Sequence, residues 1–260
     1  MTLTQSDHID LGTLIGFALQ PTQRPGRSAE YRRLLGRYRA EPDFRTATDA
    51  VLHGLSCRAL SDGDFGLVLG VEPESPFAFR VADMPNAGSR NNRLLAGLLL
   101  VGVAAYAYPS PAELDEDRIR RVPDTEFEQW MRSMCERLQA TDAAGEVIPE
   151  EGLDQAWRVY HEMPPSLVGE RGRGSGRLSP KCTLYWVRNI LGWLTEQGMA
   201  RPDGADGVWM LTERFRIQIK DMASEPAYTF LAAMARGQHP DPAAHSQPND
   251  TSDDSISGEK

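Results

Sequence analysis

Apolar side chains at Tyr31, Leu34, Leu35 and Tyr38 keep the i, i+3, i+4, i+7 spacing of one helical face, and Ser28 stands just before them. The spacing predicts a helix over Ala29–Arg39. A second helix is expected near Thr46–Leu55, carrying Ala47, Val51 and Leu55. Asp62-Gly63-Asp64 then reads as a turn. Two apolar runs, Phe65–Val71 and Phe77–Val81, flank Glu72–Pro76 and predict a β-hairpin. The most apolar stretch, Leu94–Ala107, has 14 residues. A bilayer crossing needs about 20, so a buried helix over 91–107 is expected, stopped by Tyr108-Pro109-Ser110-Pro111. Thr125-Glu126-Phe127-Glu128 has the form of a capping box opening a helix over Glu126–Gln139. Its positions Phe127, Trp130, Met131, Met134 and Leu138 share a face.

The second half repeats this order. Leu153–His161 reads as a short helix. Ser179-Pro180 has the form of an N-cap followed by Pro at the first helical position, opening a long helix to about Gln197, with Gly198 as its stop. Met199–Arg201 and Gly207–Leu211 read as strands around a turn at Pro202–Asp206. Thr212 opens a helix to about Met222, and Pro226 opens a last one ending near Arg236. Residues 20–28, 140–150 and 163–179 read as loops.

A long helix feeding a hairpin whose second strand leads into another helix is the order of a winged helix-turn-helix. The fold class expected is α+β, mostly helical, with tandem winged helix-turn-helix domains. The boundaries follow as an N-terminal segment over 1–27, a first domain over 28–140, a second over 141–236 and a tail over 237–260. The tail holds Pro240, Pro242, Pro248 and the run Asp250-Thr251-Ser252-Asp253-Asp254. With almost nothing apolar to bury, it is expected to be disordered.

Charge sharpens the picture. The 260 residues carry a formal net charge of −9, with 40% hydrophobic and 25% charged residues. That balance argues against binding nucleic acid by bulk electrostatics. The charge is uneven: 21–60 carries +4, 112–162 carries −8 and 163–201 carries +4. Three scattered cysteines, Cys57, Cys135 and Cys182, fit reduced thiols in a cytoplasmic protein. Asp7, His8 and Asp10 stand where a signal peptide would be positive, and no Ala-x-Ala site follows Leu11–Leu19.

Candidate chemistry is sparse. Projection of Ser179–Gln197 onto a helix puts Leu184, Trp186, Val187, Ile190, Leu191, Trp193 and Leu194 on one arc. Lys181, Arg188 and Asn189 fall on the other. With Arg171, Arg173 and Arg177 just before, they form a possible DNA-contact set, or a solvated helix face beside a basic loop. The expected wing, Pro202–Asp206, is acidic, unlike a wing lying along phosphates. His53 and Cys57 stand at i, i+4 on an expected helix, a spacing able to hold a metal, but no third ligand is near. Glu113, Asp115, Glu116 and Asp117 read as solvated charge. There is no P-loop, no GxGxxG after a strand and no GxSxG. No catalytic residue, cofactor or metal is expected.

The stretches Asp64–Met84, the apolar helix from Leu94, Asp115–Leu138 and Tyr185–Leu211 together resemble the kite family, the kleisin-interacting tandem winged-helix elements. The resemblance is to MukE-type subunits of condensin-like SMC complexes, including those of Wadjet anti-plasmid systems. It covers about 200 residues in order and texture rather than through a diagnostic motif. It implies a non-enzymatic, nucleoid-associated subunit that dimerises and holds a kleisin chain. The SMC ATPase, reached through the kleisin, would be another polypeptide, and DNA contact would occur within the complex, with no membrane involved. The alternative reading is a stand-alone winged-helix DNA-binding transcription regulator, which needs a basic wing.

Overall fold

The fold is described from a computed structural model, over residues 3–116, 118–145, 148, 152–168 and 177–237. It is mostly helical with two small antiparallel sheets. The expectation for the tail falls, from residue 238 on, outside the described residues. So do Asp117, Arg171 and Arg173.

The first core gathers residues 11–69. Helix α1 (Gln5–Ala18) is closed by a capping box: the Thr4 hydroxyl accepts from the Asp7 amide, and the Asp7 carboxylate accepts from the Thr4 amide at 2.8 Å. Helix α2 (Ala29–Ala40) starts at Ser28, whose hydroxyl accepts from the Tyr31 amide at 3.1 Å. Helix α3 (Pro42–Gly54) opens on a proline at its first position, where no amide is required. Strand β1 (Cys57–Ser61) pairs antiparallel with β2 (Val68–Val71), Cys57 opposite Val71. Leu14, Leu34, Leu35, Phe44, Leu52 and Leu67 fill the interior. Tyr31 stacks on Phe17 at 4.8 Å between centroids, and its hydroxyl accepts from the Leu67 amide at 2.8 Å. Gly66, at φ +90°, passes so close to that hydroxyl that a Cβ would overlap it.

Two expectations are corrected here. Helix α1 lies in the N-terminal segment over 1–27, where no helix is expected, and the hairpin forms earlier than expected. Phe65–Val71 pairs with Cys57–Ser61, through Val68–Val71, and not with Phe77–Val81. Ser56 takes φ +52° and reverses the chain straight after α3, so the next residues run back alongside 68–71. Ser75 pulls 72–78 into turns: its hydroxyl donates to the Leu55 carbonyl at 2.7 Å, and the Ala78 amide donates to its carbonyl. Phe77 and Phe79 are left outside any strand, 45% and 47% exposed.

The second core gathers residues 84–234. Helix α4 (Arg90–Ala107) lies at its centre, capped by Ser89. After a short helix α5 (Pro111–Asp115) come β3 (Arg121–Pro123), α6 (Asp124–Ala143), α7 (Leu153–Glu162) and α8 (Thr183–Glu196). Strands β4 (Ala200–Pro202) and β5 (Val208–Leu211) form a hairpin, followed by α9 (Glu213–Asp221) and α10 (Pro226–Ala235). Helices α6, α7, α8 and α10 cover α4, burying Leu95, Leu98, Leu99 and Val103. Its apolar surface is therefore satisfied within the chain. Gly102 admits the Met131 sulfur of α6, which a Cβ there would strike. The sheet runs β3-β5-β4, with Val122 opposite Trp209 and Arg201 opposite Met210.

Three boundaries shift for local reasons. Helix α6 starts at Asp124, so the expected box is not formed: Thr125 donates its hydroxyl to Asp124 at 3.0 Å. Glu128 turns inward instead, accepting from Arg132 at 2.8 Å and from the Thr183 hydroxyl at 2.6 Å. Helix α8 starts at Thr183 rather than after Ser179, because 179–182 closes a turn whose Pro180 carbonyl accepts from the Trp186 indole at 3.0 Å. Helix α6 also continues to Ala143, into the expected loop.

The two cores meet along α9 and at the α8–β4 turn. The Gln218 amide donates to the Leu69 carbonyl at 2.8 Å, and Arg58 bridges Glu72 and Asp221. Gly198, at φ +66°, lies directly under the Pro21 carbonyl. Among the described residues, no helix is long and apolar enough to cross a membrane.

Candidate functional site

The buried arc of α8 is as the periodicity predicts: Trp186, Val187, Ile190, Leu191 and Leu194 are inside, with Leu184 and Trp193 at the margin. The opposite face is engaged within the chain. The Arg188 Nε donates to Asp124 Oδ2 at 2.5 Å. The Asp124 side chain is 6% exposed and that of Arg188 is 44% exposed. The same aspartate accepts from the Thr125 hydroxyl, and its amide donates to the Gly207 carbonyl at 2.8 Å. Gly207 sits at φ +74°, where a Cβ would press on the Asp124 carboxylate. One carboxylate thus joins the start of α6, the middle of α8 and the base of the hairpin.

Asn189 faces the segment before α4. Its amide donates to the Pro85 carbonyl at 3.3 Å, and its oxygen accepts from Asn86 at 3.4 Å. The same Asn86 amide reaches the Tyr185 hydroxyl at 3.1 Å. Phe79 packs on Trp193 with 4.4 Å between ring centroids. Residues 79–86 therefore cover part of the face α8 would offer a partner.

Lys181 lies in the turn before α8, exposed and off the helix. Arg177 is exposed beside the isolated bridge between Val168 and Leu178. Arg188 and Asn189 share a face of α8, but the six residues of the set do not form one described surface. The acidic turn expected as a wing joins β4 to β5 and contacts β3, where Asp203 accepts from Arg121 at 2.8 Å.

His53 and Cys57 do not share a helix. His53 is exposed on the last turn of α3, and Cys57 is buried on β1, its thiol 3.4 Å from the Leu55 carbonyl. The positive φ of Ser56 separates them. All three thiols are buried. Burial pushes the Cys135 thiol up to about 12, far from a reactive thiolate. Among the described residues, no group of three His, Cys, Asp or Glu side chains is placed to hold a metal ion.

A cleft of about 260 Å³ lies between the two cores, unmarked by any pattern in the sequence. Its walls include Arg24 from the loop after α1, Arg118, Arg201 of β4 and Arg216 of α9, with Phe65 and Tyr108. These arginines come from four separated stretches and show no common spacing, so only the fold reveals their proximity.

No family model, no curated protein and no solved structure matches this chain.

Proposed function

We propose that the chain is a non-catalytic kite subunit that binds a kleisin in a condensin-like SMC complex acting on DNA, in plasmid defence or chromosome organisation. The observation that carries this reading is a repeated order of elements. Helices α1, α2 and α3 lead into the hairpin β1–β2, and helices α6, α7 and α8 lead into the hairpin β4–β5. In each half a hairpin follows the third helix, as a wing follows a recognition helix. In the second half β3 adds to the hairpin, in the order β3-β5-β4. On this reading the two winged units are built on the cores over 11–69 and 84–234, with the seam at 72–83.

The net charge of −9 suits a subunit whose main partner is protein. The first unit pairs with a second copy, and the second holds the kleisin, which links the subunit to the SMC ATPase. The burial of α4 within its own chain removes it as a partner surface. Direct DNA contact through α8 is disfavoured by the internal bonds of Arg188 and Asn189, which leaves Arg177 and Lys181 from the described part of that set.

Affinity purification of the tagged full chain from its native host, with mass spectrometry of the co-purifying proteins, tests the reading. An SMC-type ATPase and a kleisin recovered together support it. Recovery of the chain alone, or with RNA polymerase and DNA, overturns it in favour of a winged-helix regulator.

A further inference from the structure

We infer that the cleft between the two cores, walled by Arg24, Arg118, Arg201 and Arg216, is a binding site for a phosphate group. The inference does not depend on the subunit reading.

Several arginines elsewhere in the chain are paired within it. Arg33, Arg37, Arg58, Arg121, Arg132 and Arg188 each close on a carboxylate within 3 Å or so. The cleft wall holds two that do not. Neither Arg24 nor Arg201 has a carboxylate partner among the described residues. Arg24 instead lies over the Phe65 ring, 4.5 Å from its centroid. Arg118 is held loosely by Glu116 at 3.4 Å. Arg216 donates to the Leu114 carbonyl at 2.9 Å and reaches Glu213, the one acid on the cleft wall, at 3.4 Å.

Arg24 and Arg201 without a carboxylate, beside Arg118 and Arg216 with one loosely held each, leave a net positive charge on the cleft wall. Burial first, then the like charges of Arg27 and Arg201, pull the Arg24 guanidinium below its usual range. Arg214, next along α9, is nine-tenths buried, and its Nε has no hydrogen-bond partner among the described residues. Burial lowers its guanidinium as well, and Arg24 adds to the effect. A folded chain holds such like charges together at a cost that a bound anion removes.

The donor set favours phosphate over carboxylate. A guanidinium presents five N–H donors in a planar fork. Several such forks around one cleft offer more donors than the two oxygens of a carboxylate can accept, and from several directions. A tetrahedral phosphate has more acceptor oxygens to share among them. The cleft is open to solvent between two halves of the fold, so the phosphate can belong to a small compound or to a nucleic-acid backbone.

The test uses the full chain in phosphate-free buffer. Inorganic phosphate and pyrophosphate are titrated by calorimetry, and a short labelled DNA duplex by anisotropy at several salt concentrations. The comparison is the double variant Arg24→Gln/Arg201→Gln, with Arg24→Lys/Arg201→Lys retaining charge without the fork. Far-ultraviolet dichroism and a melting curve check that each variant folds. The expected result is binding of at least one probe by the native chain, weakened roughly tenfold or more in the Gln variant. If the duplex binds, the slope of log K against log salt falls by about 2 in the Gln variant. Binding of pyrophosphate alone supports the site and assigns it to a small phosphate compound. Duplex binding that shares the variant's loss supports it and assigns it to a phosphodiester. No binding of any probe, or equal binding by the native chain and a folded Gln variant, overturns the inference.

Discussion

Arg188 of α8 and Asp124 of α6 form a 2.5 Å ion pair in which the acid is buried and the base is half exposed. Because the Asp124 amide also holds the Gly207 carbonyl, Asp124 ties α8 and the hairpin that follows it to the start of α6. The asymmetry in burial makes the two partners unequal when removed.

Arg188→Met is expected to cost about 3 kcal/mol, since it leaves the Asp124 carboxylate buried with only the Thr125 hydroxyl bonded to it. Asp124→Ala is expected to cost less, because the half-exposed Arg188 guanidinium it frees can turn to water. A figure of about 1–2 kcal/mol follows for that variant. Urea unfolding of the two variants checks the order. An equal or reversed order means that the burial of Asp124 does not set the cost.

In the first core, Tyr31→Phe removes the acceptor of the buried Leu67 amide while keeping the ring stacked on Phe17. A loss of about 1–2 kcal/mol is expected. Gly66→Ala destabilises at least as much, through strain at φ +90° and a clash with the same hydroxyl. Combining the two substitutions should cost less than their sum, because the clash partner is gone. Strict additivity in a double-mutant cycle would show that Gly66 is required only for its backbone conformation.

The α1–α2 contact carries a defined pH response. Asp7 is held well below the usual carboxylate range, first by the Thr4 hydroxyl and then by Arg37. Asp10 is lowered first by Arg33, with burial opposing and Arg37 adding. A carboxyl group depressed in the folded state stabilises fully above its unfolded value of about 3.9, and the contribution is lost as the pH falls below that towards the folded value. Asp7→Asn/Asp10→Asn should therefore flatten the fall in urea midpoint between about pH 5 and about pH 2. An unchanged fall would place the acid sensitivity elsewhere.

Thiol titration provides a further check. All three cysteines are buried, so a thiol reagent should modify fewer than one equivalent on the native chain within minutes. After denaturation it should modify 3 per chain. Rapid modification of one native thiol would place a cysteine at the surface and contradict this packing.

Much of the secondary structure was legible because helices with one wet face have an audible period. Tyr31, Leu34, Leu35 and Tyr38 on α2, and Phe127, Met131, Met134 and Leu138 on α6, are all buried where the spacing puts them. The hairpin β4–β5 was legible from its glycine-rich turn. The hairpin β1–β2 was misplaced because its partner strand, Cys57–Ser61, is half exposed and carries Arg58 and Ser61. What decided the pairing was one positive φ at Ser56, which no periodicity encodes. The candidate site was less legible still. Arg188 and Asn189 could be placed on α8 by counting, but their partners Asp124 and Pro85 lie 64 and 104 residues away. The arginine cleft draws on the loop after α1, β4 and α9, and nothing local marks those residues as neighbours.

The burial of α4 among later elements has a consequence during synthesis. One of its principal covers, α10, begins about 120 residues after α4 ends. At ordinary elongation rates that distance takes roughly 6–24 s. For that interval the greasiest helix of the chain is on or beyond the ribosome with its final cover still unmade. Whatever shelters it then, a chaperone or the helices that emerge sooner, governs how much of the newly made protein reaches this fold rather than aggregating.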